Sequence, residues 1–424
     1  MNSKYMQAII KDAIFRLLFI NMFLVVLGYA AAYSIGPWFI PFFSVFKQVL
    51  VFVSLVYVIK LNGFSTIYLL NKFNIYLLIC VMMGLSFFSN EPFQSVYKGL
   101  TFIFPLLYII YSVNYLLQYG AYNLLVSLSL MILIVYAFVP FSFLFFGFDI
   151  QKTNIYGYEE GRFFVSNNYG WSSTLFLLSS ITVLRFYPLK RIYRLFILIF
   201  IPFVFYVLLI SGNRAGLLSA GLAFIFLLFK DKIFSFMFKF TLVLLLFIAV
   251  ALLSLKENSA ISTIERRNEV QIESGNEGRL IGTNAMLKSF DNNPVYWFTG
   301  VGMFNYTELH KYGGILPVYH NSYWEVLFGA GIFVFIIFLK IMIYDPFRVF
   351  WNNISNYSLL AIPLIIIPFF ESNLTGGQFL FFPWFSYIIL LNSKEFRLYN
   401  IIKNGHEVQT YKKLVNEEIV IHNS

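Results

Sequence analysis

Charge is what this chain has least of. Asp, Glu, Lys and Arg together make up 12% of its 424 residues, against roughly 25% in a soluble globular chain. That shortage excludes an ordinary water-soluble enzyme and a disordered or acidic-tail protein. Cysteine is almost absent. The single Cys80 excludes a disulfide framework, a thiolate metal site and a paired-cysteine redox motif. Histidine is also scarce, with four in all. His310 and His320 lack metal-ligand spacing, and no carboxylate–histidine cluster accompanies them. Metal-independent chemistry is expected, with no cofactor. Sustained period-two alternation is missing too, which excludes an outer-membrane barrel.

What is present is apolar surface. The chain is 59% hydrophobic and 21% aromatic, with a mean hydropathy of +0.75. Its apolar runs have helical length, so the expected fold class is all-α, a polytopic inner-membrane protein. A span needs about 20 apolar residues. About twelve transmembrane helices are expected, near 12–33, 39–59, 73–89, 99–117, 123–147, 169–184, 195–211, 214–229, 237–255, 321–343, 357–371 and 378–392. Lys47 and Gln48 interrupt the second, and Glu371-Ser372-Asn373 separates the last two. The first run reads as a retained anchor rather than a cleaved signal.

The net charge of +10 reads as a topology signal, not as a nucleic-acid footprint. With the N-terminus inside, nineteen Lys and Arg fall in inside segments and ten in outside ones. The segment Arg185-Phe-Tyr-Pro-Leu-Lys190-Arg191-Ile-Tyr-Arg194 is the strongest inside marker. Both termini are then cytoplasmic. Residues 1–392 form one transmembrane domain and 393–424 a polar cytoplasmic tail. The two long outer loops, about 148–168 and 256–320 (the latter between helices 9 and 10), form the expected active face. No internal repeat is visible, so the inverted-repeat transporter pattern has no support.

Three polar features meet on that outer face. Gly161-Arg162 with Ser166-Asn167-Asn168 precedes the sixth span. Ser211-Gly212-Asn213-Arg214-Ala-Gly216 makes the tight turn between spans seven and eight. Tyr319-His320-Asn321-Ser322-Tyr323-Trp324 opens span ten. Spans six, eight and ten start outside, so their N-termini present free N–H groups and a partial positive charge suited to an anion. Arginine adds a permanent charge and bidentate geometry for phosphate. The other reading of Arg214 is an interfacial anchor. Arg162 and Arg279, the latter in Gly278-Arg279-Leu-Ile-Gly282, sit in loops, where a solvated charge is the plain alternative. His320 can exchange a proton near neutral pH, and its alternative is a packing histidine. Lys47 and Glu325 are intramembrane charges that could pair. Trp297, Tyr306, Tyr312 and Trp324, with Tyr156, Tyr158 and Tyr319, are the aromatics placed to stack on a sugar.

The order of these motifs resembles a known family. Ser211-Gly-Asn-Arg214-Ala-Gly is followed by Gly278-Arg279, Asn293-Pro294 and Gly300-Val-Gly302. His320-Asn321-Ser-Tyr323 and Gly329-Ala-Gly331 then close the series. This resembles the O-antigen ligase and Wzy-type O-antigen polymerase superfamily. The Arg162…Asn168 stretch is similar to the family's Arg…Asn-Pro-Asn stretch, with Asn in place of Pro. The resemblance implies a GT-C-like membrane glycosyltransferase acting at the outer face of the inner membrane. Its donor would be a glycan on undecaprenyl pyrophosphate. The acceptor would be the end sugar of another lipid-linked repeat unit in a polymerase, or lipid A–core in a ligase. Arg214 and Arg279, with Arg162 third, would bind the pyrophosphate. His320 would be the acceptor base, with Asn321, Asn168 and Ser211 in support. A chain-length regulator and a flippase would be partners. Other classes stay open: a lipid-linked oligosaccharide flippase, a peptidoglycan-type glycosyltransferase using Asp149 or Asp291, or a structural membrane partner.

Overall fold

In the computed structural model, residues 3–35, 39–64, 72–89, 91–146, 166–186, 189–211, 213, 216–222, 278–302, 306–313, 321–351 and 365 are described. All regular structure among them is helical. The reason is solvation. Hydrocarbon offers a peptide group no hydrogen-bond partner, so apolar segments close their backbone bonds internally.

The helices are α1 (Ser3–Lys11), α2 (Ala13–Ile35), α3 (Phe39–Asn62), α4 (Lys72–Ser86), α5 (Pro92–Leu116), α6 (Ala121–Phe146), α7 (Ser166–Phe186) and α8 (Arg191–Ser211). After residues 216–222, which are helical, come α9 (Gly278–Asn292), α10 (Tyr296–Thr299), α11 (Tyr306–Lys311), α12 (Ser322–Leu339) and α13 (Asp345–Trp351), the last two joined by a π-helical turn over Lys340–Tyr344. Among the described residues, five stretches are long and apolar enough to cross a membrane: Val45–Asn62, Pro92–Tyr119, Asn123–Phe145, Arg191–Ser211 and Ser322–Arg348. Ala13–Gly28, Phe73–Ser86 and Tyr169–Leu184 are shorter apolar helices. The chain is an all-α, membrane-embedded protein. Helices stand at the first seven expected spans and at the tenth, and the eighth begins in helix. The ninth, the twelfth and all of the eleventh but Ile365 lie outside the described residues.

Neighbours in sequence pack together, as short connections require. The α3 helix lies against α2 and α5, α6 against α7, and α7 against α8. Asn21 ties three helices in the apolar core. It is 1% exposed, and its Nδ2 lies 3.0 Å from Ser54 Oγ, 3.2 Å from Tyr108 Oη and 2.9 Å from the Leu17 carbonyl. At the start of α2, Asp12 accepts from the Ile14 N–H at 2.8 Å and from the Tyr119 hydroxyl at 3.0 Å. One carboxylate thus caps a helix and anchors the turn after α5.

One departure from regularity among the described residues is in α12. Gly331 has φ 74° and ψ 179°, a conformation essentially reserved for glycine. The helix breaks there, and carbonyls on its N-terminal side lose their partners one turn on. The α10 region supplies replacements. Val301 donates to the Phe328 carbonyl at 2.8 Å, and Gly302 to the Gly329 carbonyl at 3.0 Å. The approach is close enough that a Cβ on Gly331 would overlap the Phe298 carbonyl and reach 2.9 Å from the Gly300 nitrogen. A Cβ on Gly300 would lie 2.5 Å from the Ala330 nitrogen. Gly300, with φ 68°, and Gly331 are therefore required by one another.

Candidate functional site

The segment expected as a polar outer loop, 256–320, contains structure. Over α9, the buried positions are Gly282, Ala285, Met286, Ser289 and Phe290, and Asn284, Leu287, Lys288 and Asp291 are exposed. That is the three-and-four spacing of an amphipathic helix. Ala285, Met286 and Phe290 share a core with Val301, Leu327 and Phe328. The α9 helix thus joins, through this core, the N-terminal half of α12. Phe290 stacks on Trp297, with ring centroids 4.5 Å apart, and on Phe328, at 5.9 Å.

This corrects the placement of Arg279, which is the second residue of α9 and not part of a loop. The cause is that α9 buries a full apolar stripe whose partner lies in α12. The Gly278-Arg279 motif therefore opens a helix packed in the same core as the helix that His320-Asn321 precedes.

The second assembly is the turn after α8. Asn213, 4% exposed, caps the helical segment that follows: its Oδ1 accepts from the Gly216 N–H at 2.8 Å, and its carbonyl accepts from Leu217. Asparagine suits this place because its short side chain reaches back to the first turn. Ser211, fully buried, donates to the Leu208 carbonyl at 2.7 Å. A Cβ on Gly170 of α7 would come within 2.7 Å of the Ser211 hydroxyl, and one on Gly216 would lie 3.1 Å from Leu208 Cδ1. Two glycines therefore let α7 close on the turn. The same face of α7 carries buried Ser173 and Thr174. The Asn213 Nδ2 and the Ser172, Ser173 and Ser219 hydroxyls have no hydrogen-bond partner among the described residues.

The third is the start of α12. Asn321 accepts from the Tyr323 and Trp324 N–H groups at 3.0 and 3.2 Å. Its role is thus a helix cap. Two first-turn donors are taken up, so this N-terminus offers an anion less than an uncapped one would. Any anion binding falls more heavily on the arginines. Glu325, 2% exposed, follows on the first turn, and Tyr323 Oη donates to the Ile365 carbonyl at 3.3 Å. Tyr323, Val326 and Ala330 belong to the core that also holds Tyr169, Trp171 and Val207. The starts of α7 and α12 and the end of α8 therefore share one packed interior.

The expected intramembrane pair, Lys47 and Glu325, falls on α3 and α12. Lys47 lies on α3, partly exposed, and α3 packs chiefly on α2 and α5, whereas α12 packs on α4 and α10. Among the described residues, Lys311 Nζ pairs with Glu308 Oε2 at 2.7 Å. The hydrogen bond to Glu308, and then its charge, hold the Lys311 ammonium above its ordinary pKa.

Of the other expected site residues, Arg162, Arg214 and His320 lie outside the described residues. So do Asp149, Tyr156, Tyr158 and Tyr319. Asn168 is the third residue of α7. Trp324 and Tyr312 pack onto the α9–α12 core, and Trp297 stacks on Phe290. Among the described residues, no three His, Cys, Asp or Glu side chains gather where a metal could be held. Sequence reasoning missed the α12 break and the buried hydroxyls of α7. The run Ser172-Ser-Thr174…Ser179-Ser180-Ile-Thr182 was the available signal for the second.

Compared with family models, curated proteins and solved structures, the chain matches none.

Proposed function

We propose that the protein is a metal-independent, GT-C-like integral-membrane glycosyltransferase, a polymerase of O-antigen or capsule type, with about twelve spans and both termini cytoplasmic. It transfers a glycan from undecaprenyl pyrophosphate to the terminal sugar of another lipid-linked repeat unit at the outer face of the inner membrane. The acceptor hydroxyl loses its proton to His320, and its oxygen bonds the donor's anomeric carbon. The glycosyl–oxygen bond to the pyrophosphate breaks, and Arg214, Arg279 and Arg162 stabilise the departing charge.

The observation that carries this reading is the grouping of separate motifs. Ala285, Met286, Phe290, Val301, Leu327 and Phe328 share one core, and Val301 and Gly302 bond the Phe328 and Gly329 carbonyls, so segments that follow or adjoin separate motifs pack together. Asn213 and Asn321, each adjoining a proposed functional residue in sequence, both cap helices. Arg214 and His320 are the sequence neighbours of these two caps, and permanent arginine charge suits a leaving group of developing negative charge.

The test is reconstitution with undecaprenyl-pyrophosphate-linked repeat units and no added metal. A glycan ladder on the same lipid is expected, absent for His320→Ala and Arg214→Ala at equal protein level. Transfer only after lipid A–core is added would make the protein a ligase instead. Normal ladders from both variants would overturn the site.

A further inference from the structure

We infer that residues 293–302 form a re-entrant element, which enters the hydrocarbon of the bilayer beside the break in α12 and exposes Val295, Trp297 and Phe298 to acyl chains.

The first ground is composition and exposure. Residues 292–307 contain no charged side chain, within a segment otherwise rich in charge. Val295 is 59% exposed and Phe298 55%, and Trp297 is also exposed. An outer aqueous loop has little reason to hold such residues outward together. In lipid, this orientation is the favourable one.

Depth is the second ground. Phe298 lies against Phe333 of α12, with ring centroids 6.1 Å apart. Phe333 is itself 57% exposed, and so is Ile336, one turn on. Together they make an outward apolar face on a helix long enough to cross the membrane. Phe333 and the exposed Lys340 lie on the same side of the Gly331 break. At 1.5 Å per residue Phe333 is about 10 Å from that charged end, inside a hydrocarbon core of ~30 Å. Phe298 shares that depth, well inside the core.

The third ground is the backbone. Non-helical chain at membrane depth is tolerated only where its polar groups are satisfied within the protein. Every N–H from Tyr296 to Gly302 is bonded: Tyr296 to the Asn293 carbonyl, Trp297 to Pro294, Phe298 and Thr299 to Val295, Gly300 to Tyr296, Val301 to Phe328 and Gly302 to Gly329. The preceding Pro294 has no N–H to satisfy. The Gly331 break thus gains a reason, since it presents carbonyls where the element needs acceptors. Lipid is chosen over a protein partner because the face is continuous with the outward side of α12. The inference does not rest on the glycosyltransferase reading.

Single cysteines introduced into a Cys80→Ser background in proteoliposomes test it, using a membrane-impermeant maleimide. Asn284→Cys, on the exposed side of α9, is the aqueous reference, and Phe333→Cys the buried-in-lipid reference. Because the thiolate is the reacting form and needs water, Phe298→Cys and Val295→Cys are expected to label at least ~10-fold more slowly than Asn284→Cys. Phe298→Cys or Val295→Cys labelling at the Asn284→Cys rate while Phe333→Cys stays slow would overturn the proposal. If Phe298→Cys disturbs the fold and Phe333→Cys does not, Val295→Cys alone decides in the same way. Spin labels at the same positions give a second readout. Oxygen collisions exceeding those with a water-soluble nickel chelate support insertion, and the reverse refutes it.

Discussion

Replacing Gly331 by alanine probes the α12 break directly. At φ 74° and ψ 179°, a side-chain-bearing residue is disfavoured by about 1–3 kcal/mol. The added methyl would also overlap the Phe298 carbonyl and crowd the Gly300 nitrogen. The chain can escape by closing α12 into a continuous helix. That route withdraws the Phe328 and Gly329 carbonyls from Val301 and Gly302, each bond being worth about 0.5–1.5 kcal/mol net. It also regains helical bonds beyond the break, so the net loss by the cheaper route is about 1–3 kcal/mol. The assay is thermal unfolding of the detergent-solubilised protein, with protease cleavage near residues 293–302 as a local readout. A fall of about 1–3 °C in melting temperature is expected, with faster cleavage at that segment. Gly84→Ala is the control: nothing lies within 4 Å of a Cβ there, so alanine in mid-helix should be neutral or stabilise by about 0.5–1 kcal/mol. If Gly331→Ala melts with the wild type and keeps its protease protection, the break is not held by α10 and the reasoning fails.

Other expectations follow from the same contacts. Asn213→Ala and Asn321→Ala each remove a helix cap and should cost about 1 kcal/mol in denaturation experiments, with aspartate at either position restoring most of it. Phe290→Ala opens a cavity between Trp297 and Phe328 and should destabilise by about 3–5 kcal/mol, read as a lower melting temperature. Asn21→Leu strands the hydroxyls of Ser54 and Tyr108 and should cost about 1–2 kcal/mol by the same measurement. The pH dependence of the Lys311–Glu308 pair has a definite sign. The folded-state pKa of Lys311 is raised, so its contribution is complete below the unfolded pKa and is lost only as pH rises through the folded one. Stability should therefore be flat in this term from pH 6 to 9. Comparing wild type with Lys311→Met across that range checks it.

How much was legible beforehand differs by element. The helices α2 to α8 coincide with apolar runs because each run meets its own backbone needs. The α9 helix was missed as a helix. Its stripe of Gly282, Ala285, Met286, Ser289 and Phe290 is weakly apolar and lies in a segment rich in polar residues. Both asparagines at helix starts were visible by position. Their capping role needed the measured N–H contacts. The Lys47–Glu325 pair is a reading from shared depth alone, and α3 and α12 pack chiefly on other helices.

By itself, then, the sequence determined the class of solvent and the local structure it enforces. Low charge and long apolar runs require a membrane, and a membrane requires helices, because each peptide group must be satisfied close by. The chain also carries its motif order without folding at all. The break at Gly331 was decided by the tertiary structure alone. A glycine in an apolar helical run reads the same at φ −63° or +74°, and the balance is set by two N–H groups on Val301 and Gly302. Their distance in the sequence hides the contact, and hydrogen bonding across the fold produces it.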